Sequence, residues 1–133
     1  MILIGDGLIP HKNFSFVDSI LDIEHTQANT NLIFNYDENL LLFARKNNLN
    51  SAIIISNIKE AIYCNALNTR YIICDKKLAK SVQKIADNYM FDSKILAIIE
   101  TNDEIEKVAL AEIDGVIYSS LLNKWYLDNI LTF

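Results

Sequence analysis

An α/β fold built on a mostly parallel sheet is what this sequence predicts, and three observations predict it. Short apolar runs recur at 2–4, 32–34, 52–55, 71–74, 95–99 and 116–118. They are β-branched or aromatic and continuous rather than alternating, as strands buried on both faces are. The segments between them carry helical period. From Leu32 onward the apolar runs return about every twenty residues, the spacing of strand-helix units joined by short loops. The expected form is a three-layer α/β/α domain of about five or six mostly parallel strands, Rossmann- or flavodoxin-like in outline. A half-barrel of βα units that completes itself by dimerising is the second form.

The first run, Ile2-Leu3-Ile4, ends in Gly5-Asp6-Gly7. A dinucleotide fingerprint would need a third glycine opening a helix, and position 10 is Pro10, so these glycines read as a turn. Phe14-Ser15-Phe16 reads as a short strand, 19–23 as a short helix and 25–31 as loop. Segment 10–31 is expected to hold the first crossover or to cover a sheet edge. The spacing then predicts helices over 38–46, 58–67, 76–90 and 103–113. In the third of these, Leu78, Ala79, Val82, Ile85, Ala86, Tyr89 and Met90 form one apolar stripe, while Lys76, Lys77, Lys80 and Lys84 fall outside it. The segment 121–133, with Trp125, Tyr126, Leu127, Ile130 and Leu131, is expected to be a last helix docked on the sheet, with an oligomer contact as the alternative.

Composition bounds the function. At 133 residues and 51% hydrophobic, the chain can bury its own core as a single domain over 1–133. Twelve Lys+Arg against 17 Asp+Glu leave a net charge of −5, the wrong sign for a nucleic-acid binder. No apolar run approaches the ~18 residues that cross a bilayer, and the N-terminal sequence does not read as a secretory signal. A soluble, cytoplasmic protein is expected. Cys64 and Cys74 lie in apolar patterns without a nearby histidine and read as small buried hydrophobes. His11 and His25 stand alone in sequence, with no partners at the spacing of a triad or a zinc site.

In an open parallel sheet, ligands gather beyond the carboxyl ends of the strands. Every predicted strand here ends in polar residues, and the candidate ligand contacts are Asp6, Asp37, Ser56, Asp75, Glu100, Thr101 and Ser119. Helix capping competes for them, since Asp37, Asn57, Asp75 and Thr101 stand where helices begin. Asn57 to Glu60 and Thr101 to Glu104 also have capping-box spacing. Should the strands carrying Asp6, Asp75 and Glu100 be neighbours, their carboxylates would be placed to hold Mg²⁺ with water completing the shell. No residue set identifies a catalytic group.

One stretch resembles a known family. Lys94-Ile95-Leu96-Ala97-Ile98-Ile99-Glu100-Thr101, followed by Ile113-Asp114-Gly115-Val116-Ile117, is similar to a strand-helix-strand unit of the pyruvate kinase and citrate lyase β-subunit superfamily. The resemblance implies that Glu100 lies near a metal that binds an enolate. The family's next strand usually ends in an acidic ligand, whereas this one ends in Ser119-Ser120-Leu121. A full barrel needs ~250 residues, so the likeness is read as a shared βαβ pattern.

Two functions follow as expectations. The first is a non-catalytic binding or protein-interaction module, its partner another protein or a second copy of the chain. The alternative is a binding protein or enzyme for a small phosphorylated or carboxylated metabolite, with its site at the strand ends and Mg²⁺ as a conceivable cofactor.

Overall fold

The structure is a computed structural model that describes residues 1–122. Its centre is a seven-stranded sheet in which every pairing is parallel. The strands are β1 (Ile2–Ile4), β2 (Phe14–Phe16), β3 (Asn31–Asn35), β4 (Ser51–Ile54), β5 (Tyr71–Cys74), β6 (Lys94–Ile99) and β7 (Gly115–Tyr118). Between them run α1 (Ile20–Glu24), α2 (Glu38–Lys46), α3 (Ile58–Ala66), α4 (Lys76–Asn88) and α5 (Ile105–Leu110). A 3-10 turn at Asn102–Glu104 precedes α5, and another at Ser119–Leu122 follows β7.

The strand order is β1-β7-β6-β5-β4-β3-β2, so β2 to β7 follow one another across the sheet and β1 closes on β7. Right-handed crossovers between sequential neighbours put every helix on the same face. The packing agrees. Ile23, Leu41, Cys64, Val82 and Val108, one from each helix, share a single core cluster with Leu32, Phe34, Ile53, Ile72, Ile95, Ala97 and Val116 of the sheet. The opposite face carries Ile4, Phe14, Ile33, Ala52, Ile73, Leu96 and Ile117, which pack on one another and on Leu121. The sheet is curled so that this second set faces inward. Phe14 of β2 reaches Tyr71 of β5, three strands away, with ring centroids 6.4 Å apart.

The parallel α/β sheet is as the sequence predicts, with seven strands rather than five or six because Phe14–Phe16 pairs as an edge strand. The layer arrangement is the half-barrel form. Of the three layers expected, the helical layer on the inner face is absent among the described residues. The reason is that the curled strands bury that face against themselves. Uniform apolar runs mean burial on both faces, and a closed-up sheet meets that demand as well as a second helical layer does. Segment 10–31 supplies β2 and the first crossover, α1. The expected helix at 103–113 is split into a 3-10 turn and the short α5. The aromatic C-terminal segment from position 123 lies outside the described residues.

Local chemistry explains where the helices stop. Asn48, Asn68, Met90 and Glu112 have positive φ, and each follows the end of a helix. In each case two backbone bonds close the turn, as with Phe91 N–H to the Ala86 carbonyl at 2.9 Å and Met90 N–H to that of Asp87 at 3.4 Å. This is the Schellman arrangement, built four times here without glycine. Gly115 is required for a different reason. A Cβ there would collide with the Ile2 carbonyl and lie 2.6 Å from the Ile2 side chain, so only glycine lets β1 pair with β7.

Candidate functional site at the strand ends

A parallel sheet brings all seven carboxyl ends to one rim, and the strand order decides which polar residues meet there. Asp6 leaves β1 beside Tyr118 of β7. The Tyr118 hydroxyl donates to Asp6 Oδ2 at 2.6 Å, and Leu8 N–H donates to Asp6 Oδ1 at 2.9 Å. Both oxygens are thus engaged. The tyrosine and the backbone amide hold the Asp6 carboxyl below its ordinary pKa, and the negative carboxylate pushes Tyr118 up to about 12.

Most of the other candidates serve helix starts. Asp37 Oδ1 accepts from Leu40 N–H at 3.1 Å and Asp75 Oδ1 from Leu78 N–H at 2.8 Å. Asn57, which sequence reading also placed at a helix start, accepts from Glu60 N–H at 2.9 Å. Ser56 turns its own N–H and hydroxyl to Glu60 Oε1, at 2.8 and 3.1 Å. Behind β6, Glu104 reaches back to the backbone amides of Glu100 and Thr101 at 2.7 and 3.1 Å and also pairs with Lys76. With Lys76 the chief cause and the amides next, Glu104 falls to about 2. The Glu100 carboxylate is exposed, as is Ser119 in the turn after β7.

Asp6, Asp75 and Glu100 therefore do not form one ligand set. Strand β7 stands between β1 and β6, and the Asp75 carboxylate is turned to a cap. Among the described residues no three His, Cys, Asp or Glu side chains gather at one point. The inner mouth of the rim is filled from within. Leu121 packs into the inner cluster, so closely over β1 that a Cβ on Gly5 would lie 2.8 Å from it.

Two concavities remain near this rim. One, of about 440 Å³, lies outside β1 and is lined by Leu3, Leu8, Ile9, Ile105, Asp6 and Glu106 among others. The second, of about 650 Å³, is a groove between α4 and α5. Its floor is Val108, Ala111 and Ile113, with Leu110 at its edge, and Asp75, Lys76, Lys77, Lys80 and Lys107 rim it. Sequence reading placed the α4 lysines outside the apolar stripe, and they are exposed. It did not see that Lys107 faces them across an apolar floor, because that pairing depends on how α5 packs. Nor did it see the Asp6–Tyr118 pair, whose partners are 112 residues apart.

No protein-family model matches the chain, and no curated protein matches it by sequence. Among the described residues no helix is long and apolar enough to cross a membrane.

Proposed function

We propose that this chain is a non-catalytic interaction module whose working face is the α4–α5 groove, and that the groove takes an acidic amphipathic segment of a partner protein. The observation that carries the reading is the groove itself: an apolar trough rimmed by four lysines against one carboxylate, Asp75, on a chain of net charge −5. Lys77, Lys80 and Lys107 have no ion-pair partner among the described residues. Apolar contact would supply affinity, and the lysine rim would steer an acidic partner and exclude basic ones. The commitment of the Asp37 and Asp75 side chains to helix starts, and of Ser56 to Glu60, supports a binding role over catalysis.

The test is an amide-shift titration with a synthetic Glu/Leu-rich amphipathic helix. Shifts should centre on Lys77, Lys107 and Leu110, weaken with salt, and disappear when Lys77, Lys80 and Lys107 are all changed to glutamate. Absence of shifts at those residues would overturn the groove reading. Turnover of a small phosphorylated substrate would overturn the non-catalytic one.

A small-molecule reading at the rim rests on the cavity beside Asp6. Its carboxylates, Asp6 and Glu106, would repel a phosphorylated or carboxylated ligand. That cavity suits a neutral or cationic ligand better.

A further inference from the structure

The opposite end of the curled sheet holds a cavity of different character. It has a volume of about 230 Å³ and lies where β1, β2, β3 and β5 begin. Its polar lining is His11, Lys12, Asn31, Arg70 and Tyr71.

Asn31 is 2% exposed. Strand alternation puts it on the same inner face as Ile33. Its Nδ2 donates weakly to the Asn13 carbonyl at 3.4 Å, and its Oδ1 has no hydrogen-bond partner among the described residues. A buried acceptor left without a donor costs about 1–3 kcal/mol. Such a group calls for an explanation, and a ligand bearing a donor is one.

Around this amide the side chains form a continuous wall. The His11 ring lies 5.8 Å from Phe14, Phe14 lies 6.4 Å from Tyr71, and the Arg70 guanidinium sits 5.4 Å over the Tyr71 ring. Stacking of this kind fixes the direction of the guanidinium. Lys94 starts β6 in register with Tyr71 and on the same inner face, adding a further cation near the mouth. Asp114, at the start of β7, is turned away: its Oδ2 accepts from Ile95 N–H at 2.9 Å and its N–H donates to Gln83 at 2.9 Å.

We infer that this mouth is a binding site for a small organic oxyanion that also carries a hydroxyl or amine donor. The anion would lie between Lys12 and Arg70, and the donor would satisfy Asn31 Oδ1. The cavity has the room of about eight waters, which limits the ligand to a small metabolite. The site is independent of the α4–α5 groove and would survive the failure of that reading.

The experiment titrates the full chain with succinate, L-malate and O-phospho-L-serine, followed by amide shifts and calorimetry. Malate and phosphoserine, which have the donor, should bind more tightly than succinate, which has none, and shift His11, Asn31, Arg70 and Tyr71. Arg70→Glu and Lys12→Glu change exposed side chains and should fold, yet each should weaken binding by about tenfold or more. Asn31→Leu should abolish the advantage of malate and phosphoserine over succinate, provided its circular dichroism matches wild type. The triple change at Lys77, Lys80 and Lys107 should leave binding intact. Silence at those four residues with all three probes at millimolar concentration would overturn the proposal, as would shifts confined to the α4–α5 lysines.

Discussion

Glu104 shows how much one half-buried carboxylate can organise. It accepts from two backbone amides behind β6 and pairs with Lys76 at the start of α4, so it ties two βα units together at the rim. Its pKa falls from an ordinary 4.5 to about 2. A group depressed on folding stabilises the native state above its unfolded pKa, and that contribution fades as pH falls toward the folded value. Wild type should therefore lose stability between about pH 4.5 and about pH 2, and Glu104→Gln should lose less over the same window. Denaturant melts at several acidic pH values would show it, and identical slopes for the two proteins would refute the linkage. The cysteines make the opposite case. Cys64 and Cys74 are 0% and 1% exposed, and burial pushes both thiols up to about 12. Neither is a thiolate at neutral pH, so a maleimide should label them only as fast as the chain unfolds. Labelling at the rate of a free thiol would contradict their burial. Their apolar setting was legible in the sequence, because each lies in a run whose neighbours are core residues. The partners of Asp6 and Asn31 were not, nor was Lys76 as a partner of Glu104, since each is placed by strand order; only the Thr101–Glu104 contact was legible, from its local spacing.

At the scale of the element, the starts of the helices were readable and the ends less so. Asp37, Asn57 and Asp75 are caps that their side-chain type announces. Asn48 and Asn68 tolerate the left-handed turn that follows a helix, but Met90 and Glu112 give no such signal. A Schellman turn was therefore invisible there, and the expected helix over 76–90 runs past the observed end at Asn88. Met90 is 85% exposed, so its side chain contributes little packing to offset the strain of φ +52°. Met90→Gly should raise stability by about 0.5–1 kcal/mol, the relief of a left-handed residue less the added freedom of the unfolded chain. Gly115→Ala should act in reverse. The added methyl has no room against Ile2, and overpacking of this kind costs about 1–3 kcal/mol. Chemical denaturation of both variants reads the two signs, and a stabilised Gly115→Ala would mean that β1 does not pair as closely as described.

The whole molecule follows from the demand that continuous apolar strands be covered twice. Among the described residues five helices cover the outer face and none the inner one, and the sheet curls until its own strands cover it. That choice between a second helical layer and a curl is not encoded in periodicity, because both bury the same residues. It is encoded in strand order, which a single sequence does not display. The curl also sets a gradient of stability. β4, β5 and β6 are paired on both sides, and Ile53, Ile72, Ile73, Ile95 and Leu96 are fully buried. β1 and β2 are three residues each, lie at the two sheet edges, and are joined by the segment 5–13 rather than by a helix. Local opening should follow that order, since segments with fewer buried contacts open at lower free energy. Amide exchange should be slowest in β4–β6 and fastest in β1 and β2, with β3 and β7 between. The cations of the lower mouth lie next to those weak edges: Phe14 opens β2, and His11 and Lys12 precede it. An anion bound there would bridge segment 5–13 to Arg70 at the stable centre, and it would slow exchange in β2 far more than in β5. Equal protection of the edges and the centre in the free protein would mean that the seam is already closed, and the gradient would then have no part in ligand binding.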